Sequence, residues 1–123
     1  MVISLLVSVV DDDQSVRESL PALLQQLGYA TQVFASAEEF LVSDYVDDTR
    51  CLILDIALPG MSGPDLQQEL IRRGHRIPII FITGLDDEAV RERLLSLGAV
   101  EYLSKPFSEG ALLAALDAAR RVR

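Results

Sequence analysis

The chain has 123 residues, half of them apolar, which suffices for one domain with a buried core and is too little for two. Nineteen Asp and Glu against eleven Lys and Arg leave a formal net charge of −8; this disfavours nucleic acid or an anionic membrane as a direct partner and suits a cation or a basic protein patch. One cysteine, Cys51, excludes an internal disulfide, and the apolar start Met1 to Val10 lacks both the basic flank and the length of a signal or span, so a cytoplasmic, non-membrane protein is expected.

Apolar runs of strand length alternate with segments of helical period. Leu5 to Val10, Ser8 apart, reads as a strand buried on both faces. From Gln14 to Leu27 the residues Val16, Leu20, Leu23, Leu24 and Leu27 share one helical face, which Gly28 ends. Pro21 conflicts with that helix, since it removes a backbone donor and should bend the axis. Thr31 to Ala35 predicts a second strand, and the capping box Ser36–Glu39 opens a helix through Phe40 and Leu41 and on to Val46. Cys51 to Leu54 is a third strand ending at Asp55, then a loop to Gly63 and a helix starting at Pro64 and carrying Leu66, Leu70 and Ile71. Ile77 to Ile82 is a fourth strand, Asp87 to Leu97 a helix ended by Gly98, Val100 to Leu103 a fifth strand, and Glu109 to Arg121 a last helix. Five strands each followed by a helix predict an α/β fold, a doubly wound parallel sheet occupying residues 1–123 as a single domain. In such a sheet chemistry belongs beyond the carboxyl ends of the strands.

Four of the five strand ends carry chemistry: Asp11 and Asp12 after the first, Asp55 after the third, Thr83-Gly84 after the fourth, and Lys105-Pro106 after the fifth. Ten of the eleven basic residues are arginines, which singles out Lys105 as a place for a compact ammonium. Three carboxylates at one rim repel unless a cation neutralises them, and an all-oxygen set is what Mg²⁺ selects. A carboxylate flanked by a metal, an ammonium and a hydroxyl is equipped to attack a phosphoryl group.

These residues resemble the receiver domain of two-component response regulators over essentially the whole chain: Val9-Val10-Asp11-Asp12-Asp13, Leu54-Asp55 through Gly63, Ile82-Thr83-Gly84 and Lys105-Pro106-Phe107. The wording of Val33 to Leu41 and of Ile82-Thr83-Gly84 is similar to the FixJ/NarL-like branch. The resemblance implies a flavodoxin/CheY-like (βα)5 fold with strand order 2-1-3-4-5. It implies that Asp55 accepts a phosphoryl group from a sensor histidine kinase. Mg²⁺ would be held by Asp12 directly, Asp11 largely through water, Asp55 and the backbone carbonyl of Ala57. Lys105 would bind the phosphoryl group, Thr83 and Tyr102 would form the switch, and the Lys105–Pro106 peptide would be cis. It implies no enzyme beyond catalysis of the domain's own phosphorylation and dephosphorylation. Further implications are homodimerisation on the face of the fourth helix, fifth strand and fifth helix, and a C-terminal DNA-binding output domain outside this chain. Leu58 and Ser62 replace the commoner Met and Asp, and Pro21 is unusual; none is a ligand position.

Simpler readings exist for each residue. Asp13 suits a helix cap, Thr83 an ordinary strand end, Tyr102 a half-buried aromatic, Cys51 a core position and His75 a solvated loop. Asp44, Asp47, Asp48 and Arg50 suit a solvated turn, and Asp86, Asp87 and Glu88 a charged helix start. Leu95 and Leu113 exceed one buried stripe, with Arg91, Arg93 and Arg120 set against Glu92, Glu101 and Asp117 on the flanks. Three rival functions follow. A nucleotide- or flavin-binding domain would need phosphate-cradling glycines where three aspartates stand. An aspartyl phosphatase would need an acid where Ala57 stands. A degenerate receiver acting only as a protein-binding module would show lost chemical positions.

Overall fold

The computed structural model describes residues 5–84 and 87–122, so Met1 to Ser4, Arg123 and the expectation for Asp86 lie outside it. The strands are β1 (Leu6–Val10), β2 (Ala30–Phe34), β3 (Thr49–Asp55), β4 (Ile79–Thr83) and β5 (Glu101–Ser104). They form one parallel sheet in the order β2-β1-β3-β4-β5. The helices are α1 (Gln14–Gln26), α2 (Ala37–Leu41), α3 (Gly63–Arg72), α4 (Glu88–Ser96) and α5 (Glu109–Arg120). The predicted doubly wound order is the observed one.

Alternation along the strands divides the core into two layers. Val7, Val9, Cys51, Ile53, Ile80 and Ile82 face Leu20 and Leu24 of α1 and Leu112 and Leu116 of α5. Val10, Leu52, Leu54 and Phe81 face the other way, toward Phe40 of α2, Leu66 and Leu70 of α3, and Leu94 of α4. Central strands covered on both faces need the near-continuous apolar runs seen in the sequence. Ser8 interrupts β1 at no cost in unpaired groups: its hydroxyl bonds Thr49 Oγ1 at 2.7 Å, and Thr49 Oγ1 donates to the carbonyl of Tyr45.

Several boundaries differ from the sequence expectation, each for a local reason. β2 ends at Phe34, because the amide of Ala35 donates to the Glu39 carboxylate that closes the start of α2. α2 stops at Leu41 instead of running to Val46: Ser43 Oγ donates to the Phe40 carbonyl and accepts the amide of Tyr45, drawing the chain into turns. β3 starts two residues early, so Arg50 stands on the strand and not in the turn. β4 begins after Pro78, whose carbonyl accepts the amide of Leu52, and includes Thr83; β5 is shifted one residue toward Ser104. Ser62 caps α3 with a full capping box, which makes Gly63 and not Pro64 the first helical residue. α4 and α5 are trimmed by a residue at their ends, and α1 runs on through Pro21.

Candidate functional site

The loops at the carboxyl edge of the sheet bring Asp11, Asp12, Asp55, Thr83 and Lys105 to one rim, supplied by β1, β3, β4 and β5. Asp11 is fully buried. Its Oδ1 accepts the amide of Asp13 at 2.9 Å, and its backbone carbonyl accepts Arg17 Nη1 at 2.9 Å. Asp12 is exposed, and Asp13 caps α1 by accepting the amide and hydroxyl of Ser15. Three consecutive aspartates therefore have three different positions: buried, rim and cap.

Asp55 ends β3 with its side chain nearly buried, and Oδ1 accepts the amide of Ala57 over a long 3.4 Å. The ammonium of Lys105 sits between two carboxylates, 2.8 Å from Asp11 Oδ2 and 3.5 Å from Asp55 Oδ2. Its own amide donates to the Thr83 carbonyl at 2.7 Å, which ties the lysine backbone to the end of β4. The Lys105–Pro106 peptide is cis. Thr83 and Tyr102 are both buried, and the Tyr102 hydroxyl accepts the amide of Asp87, the cap of α4.

The electrostatics of this rim call for a cation. Burial, reinforced by the charge of Asp11 and opposed by Lys105, pushes the Asp55 carboxyl up to about 6. Burial works against the charged form of Lys105, but the contacts with Asp11 and Asp55 outweigh it and raise its pKa. Asp11 Oδ2, fully buried, lies 2.8 Å from that ammonium and has no other partner among the described residues. One oxygen each from Asp11, Asp12 and Asp55 lies within 4.8 Å of the others. An all-oxygen set with a buried, under-satisfied carboxylate fits a hard divalent cation such as Mg²⁺.

Other sequence candidates fall outside the rim. Cys51 is a core residue whose thiol burial pushes up to about 12. His75 is only partly solvated, a correction to its reading as a free loop residue: it is half-buried, with Nδ1 3.6 Å from Asp47 Oδ1. Asp44, Asp47 and Asp48 are exposed as expected of a turn.

Contacts that support the site were not visible in the sequence pattern. Glu38 Oε2 of α2 accepts the amide of Met61 at 3.0 Å, and a Cβ on Gly60 would stand 2.6 Å from the same oxygen, so Glu38 clamps the loop after Asp55. Gly63 packs so closely that a Cβ would fall 2.3 Å from the Asp55 carbonyl oxygen. Glu38 gave no signal because its partner is 23 residues away.

Comparison with known proteins identifies the family. Residues 7–117 match the family model of the response regulator receiver domain. Nodulation protein W of Bradyrhizobium diazoefficiens is 49% identical over 114 residues, spanning 93% of this chain and 50% of that protein. Transcriptional regulatory protein FixJ of Azorhizobium caulinodans is 41% identical over 115 residues, 94% of this chain and 54% of that one. The crystal structure of FixJ-N superimposes with a TM-score of 0.84 at 33% identity, covering 100% of this chain and 98% of that chain. The chain thus spans about half the length of the curated relatives it matches. No helix among the described residues is long and apolar enough to cross a membrane. On the family match, these relatives and the shared sheet order, the chain belongs to the response regulator receiver domains of two-component systems, in the FixJ/NarL-like branch.

Proposed function

We propose that Asp55 is the phosphoacceptor of this receiver domain, taking a phosphoryl group from the phosphohistidine of a sensor kinase. The observation that carries the proposal is the placement of Lys105 between Asp11 and Asp55, at the end of the central strand and beside a cation-ready acidic cluster. An oxygen of Asp55 attacks phosphorus; the bond to the donor imidazole nitrogen breaks, and its electron pair stays with the imidazole. Asp11, Asp12, Asp55 and the Ala57 carbonyl would hold Mg²⁺, which when bound supplies positive charge to the phosphoryl oxygens. Lys105 contributes a second positive charge, held in place by Asp11 and by its backbone bond to Thr83. Autodephosphorylation belongs to the same site.

Thr83 and Tyr102 form the switch in this reading. Both are buried, on adjacent strands, and the Tyr102 hydroxyl reaches the cap of α4, so movement of either is felt at the α4-β5-α5 face. Homodimerisation on that face is favoured by Leu113, which is 40% exposed, while the Arg91–Glu101 pair at 3.9 Å is already made within one chain. A cytoplasmic location and a DNA-binding output domain complete the reading, consistent with relatives twice this length.

Intact mass after treatment with acetyl phosphate and Mg²⁺ tests the core of the proposal. One added phosphoryl group is expected, absent in Asp55→Asn; equal modification of that variant refutes the assignment. Sedimentation with and without beryllofluoride tests the dimer, and a strictly monomeric species in both states points to a different partner for the face.

A further inference from the structure

The amino-terminal ends of the strands, opposite the carboxylate rim, carry two adjoining cavities that phosphoryl chemistry does not use. The first, about 520 Å³, lies between the C-terminal ends of α3 and α4, beside the starts of β4 and β5. Its walls are mainly apolar. Three of the seven large hydrophobic side chains exposed among the described residues line it: Ile71 at 55%, Leu97 at 43% and Val122 at 48%. Gathering them in one concavity is unlike the scattered exposure ordinary for a soluble domain.

The second cavity, about 310 Å³, adjoins the first and shares Arg76, Pro78 and Val122 with it. Arg50 at the start of β3 and Arg120 at the end of α5 complete its lining of three arginines. None of the three side chains makes an ion pair or hydrogen bond among the described residues, although the chain carries 19 acidic side chains. The end of α5 favours one cation there, which accounts for Arg120 alone. It does not account for Arg50 and Arg76, which come from other elements and repel Arg120 across the same hollow.

We propose that the joined cavities bind an amphipathic organic anion, its carboxylate or phosphate head held by Arg50, Arg76 and Arg120 and its apolar body lying between α3 and α4. Guanidinium forks match such heads in bidentate fashion, and an apolar cavity of several hundred cubic ångströms with a few polar groups at one end is the usual form of a small-molecule site. Charge selects the orientation: the apolar cavity alone would accept a body either way round, and the arginines admit the head at one end. The site lies at the pole away from Asp55, so its occupancy and the phosphoacceptor reading stand or fall separately.

The test is a titration of decanoate into isotope-labelled protein, followed by amide chemical shifts. Saturable shifts at Arg76, Leu97 and Val122 with a Kd below about 1 mM are expected, with decanol and acetate at least about tenfold weaker because each lacks half of the match. The double variant Arg76→Gln/Arg120→Gln should lose about tenfold in decanoate affinity while keeping a melting temperature within about 4 °C of wild type and the wild-type rate of phosphorylation by acetyl phosphate. Shifts that do not saturate, or equal binding of decanol, overturn the proposal. Co-sedimentation with phosphatidylglycerol vesicles without decanoate binding also overturns it, and assigns the arginines to a lipid surface instead.

Discussion

Replacing Gly63 by alanine places one methyl group against the backbone of Asp55, the proposed phosphoacceptor. The added Cβ would stand 2.3 Å from the Asp55 carbonyl oxygen and 3.1 Å from both Asp55 C and Ile56 Cα. Ordinary contact would require roughly 1 Å of separation to be found, and none of these atoms belongs to a flexible side-chain end. Overpacking of this kind costs about 1–3 kcal/mol. For a domain of this size that corresponds to a loss of about 4–12 °C in melting temperature. The displaced backbone also carries the carboxylate proposed to attack phosphorus, and misplacement by about 1 Å can slow a reaction by about a hundredfold. Thermal unfolding and the rate of phosphorylation by acetyl phosphate should therefore fall together in Gly63→Ala. Gly84→Ala is the control, since a Cβ there meets nothing within 4 Å among the described residues, and its melting temperature should stay close to wild type. A Gly63→Ala protein with unchanged stability and rate would refute the claim that this close approach fixes Asp55.

Further predictions address the remaining parts of the site. Asp12→Ala should weaken Mg²⁺ binding by more than tenfold, whereas Asp13→Ala should leave metal affinity intact and cost about 1 kcal/mol of α1 capping, as metal titration and unfolding will show. Lys105→Arg should fold yet lose phosphorylation-dependent structural change, because a broad guanidinium cannot occupy the space between Asp11 and Asp55; a wild-type response to beryllofluoride would refute this. Glu38→Ala should lower Mg²⁺ affinity several-fold by freeing the amide of Met61, with Glu38→Gln, which retains an acceptor oxygen, recovering most of it. Hydrogen bonding to Arg72, then Arg73, lowers the Glu69 carboxyl to about 2, so its stabilising contribution is complete above about pH 4.5 and lost as pH falls through 2. Glu69→Gln should accordingly flatten the acid limb of the stability profile in that window, with a small loss of stability at neutral pH and convergence with wild type as pH falls toward 2.

The strand ends were legible because two local patterns locate them: a continuous apolar run and an abrupt polar residue after it. Asp11, Asp55 and Thr83 all stand where those patterns end, and the sheet order then brings them together. The cap role of Asp13 was legible for the same reason, since capping is decided within three residues. What failed was decided at longer range or by competing bonds. The end of α2 depends on Ser43, whose hydroxyl offers the backbone an alternative to another helical turn. His75 pairs with Asp47 from a loop 28 positions earlier, and Glu38 clamps Met61, 23 residues away; neither pair leaves a periodic trace. The closeness of Gly63 to Asp55 is likewise a fact of packing, which composition and spacing do not carry.

The Asp11–Lys105 pair joins the end of the first strand to the segment after the last, closing most of the chain into one loop. A nascent chain that has emerged only as far as β4 already holds all three aspartates of the rim, but not the ammonium that lies between two of them. Its carboxylates would face one another without that ammonium, which disfavours the native rim until synthesis reaches Lys105. Long-range closures of this kind are also slow, because the entropy of the intervening chain is lost before the contact stabilises it. Signalling competence is then acquired late in biogenesis, with β5. A truncated or half-made domain would have the acidic residues without the ammonium, so on the proposed function unfinished copies would not take up phosphoryl groups.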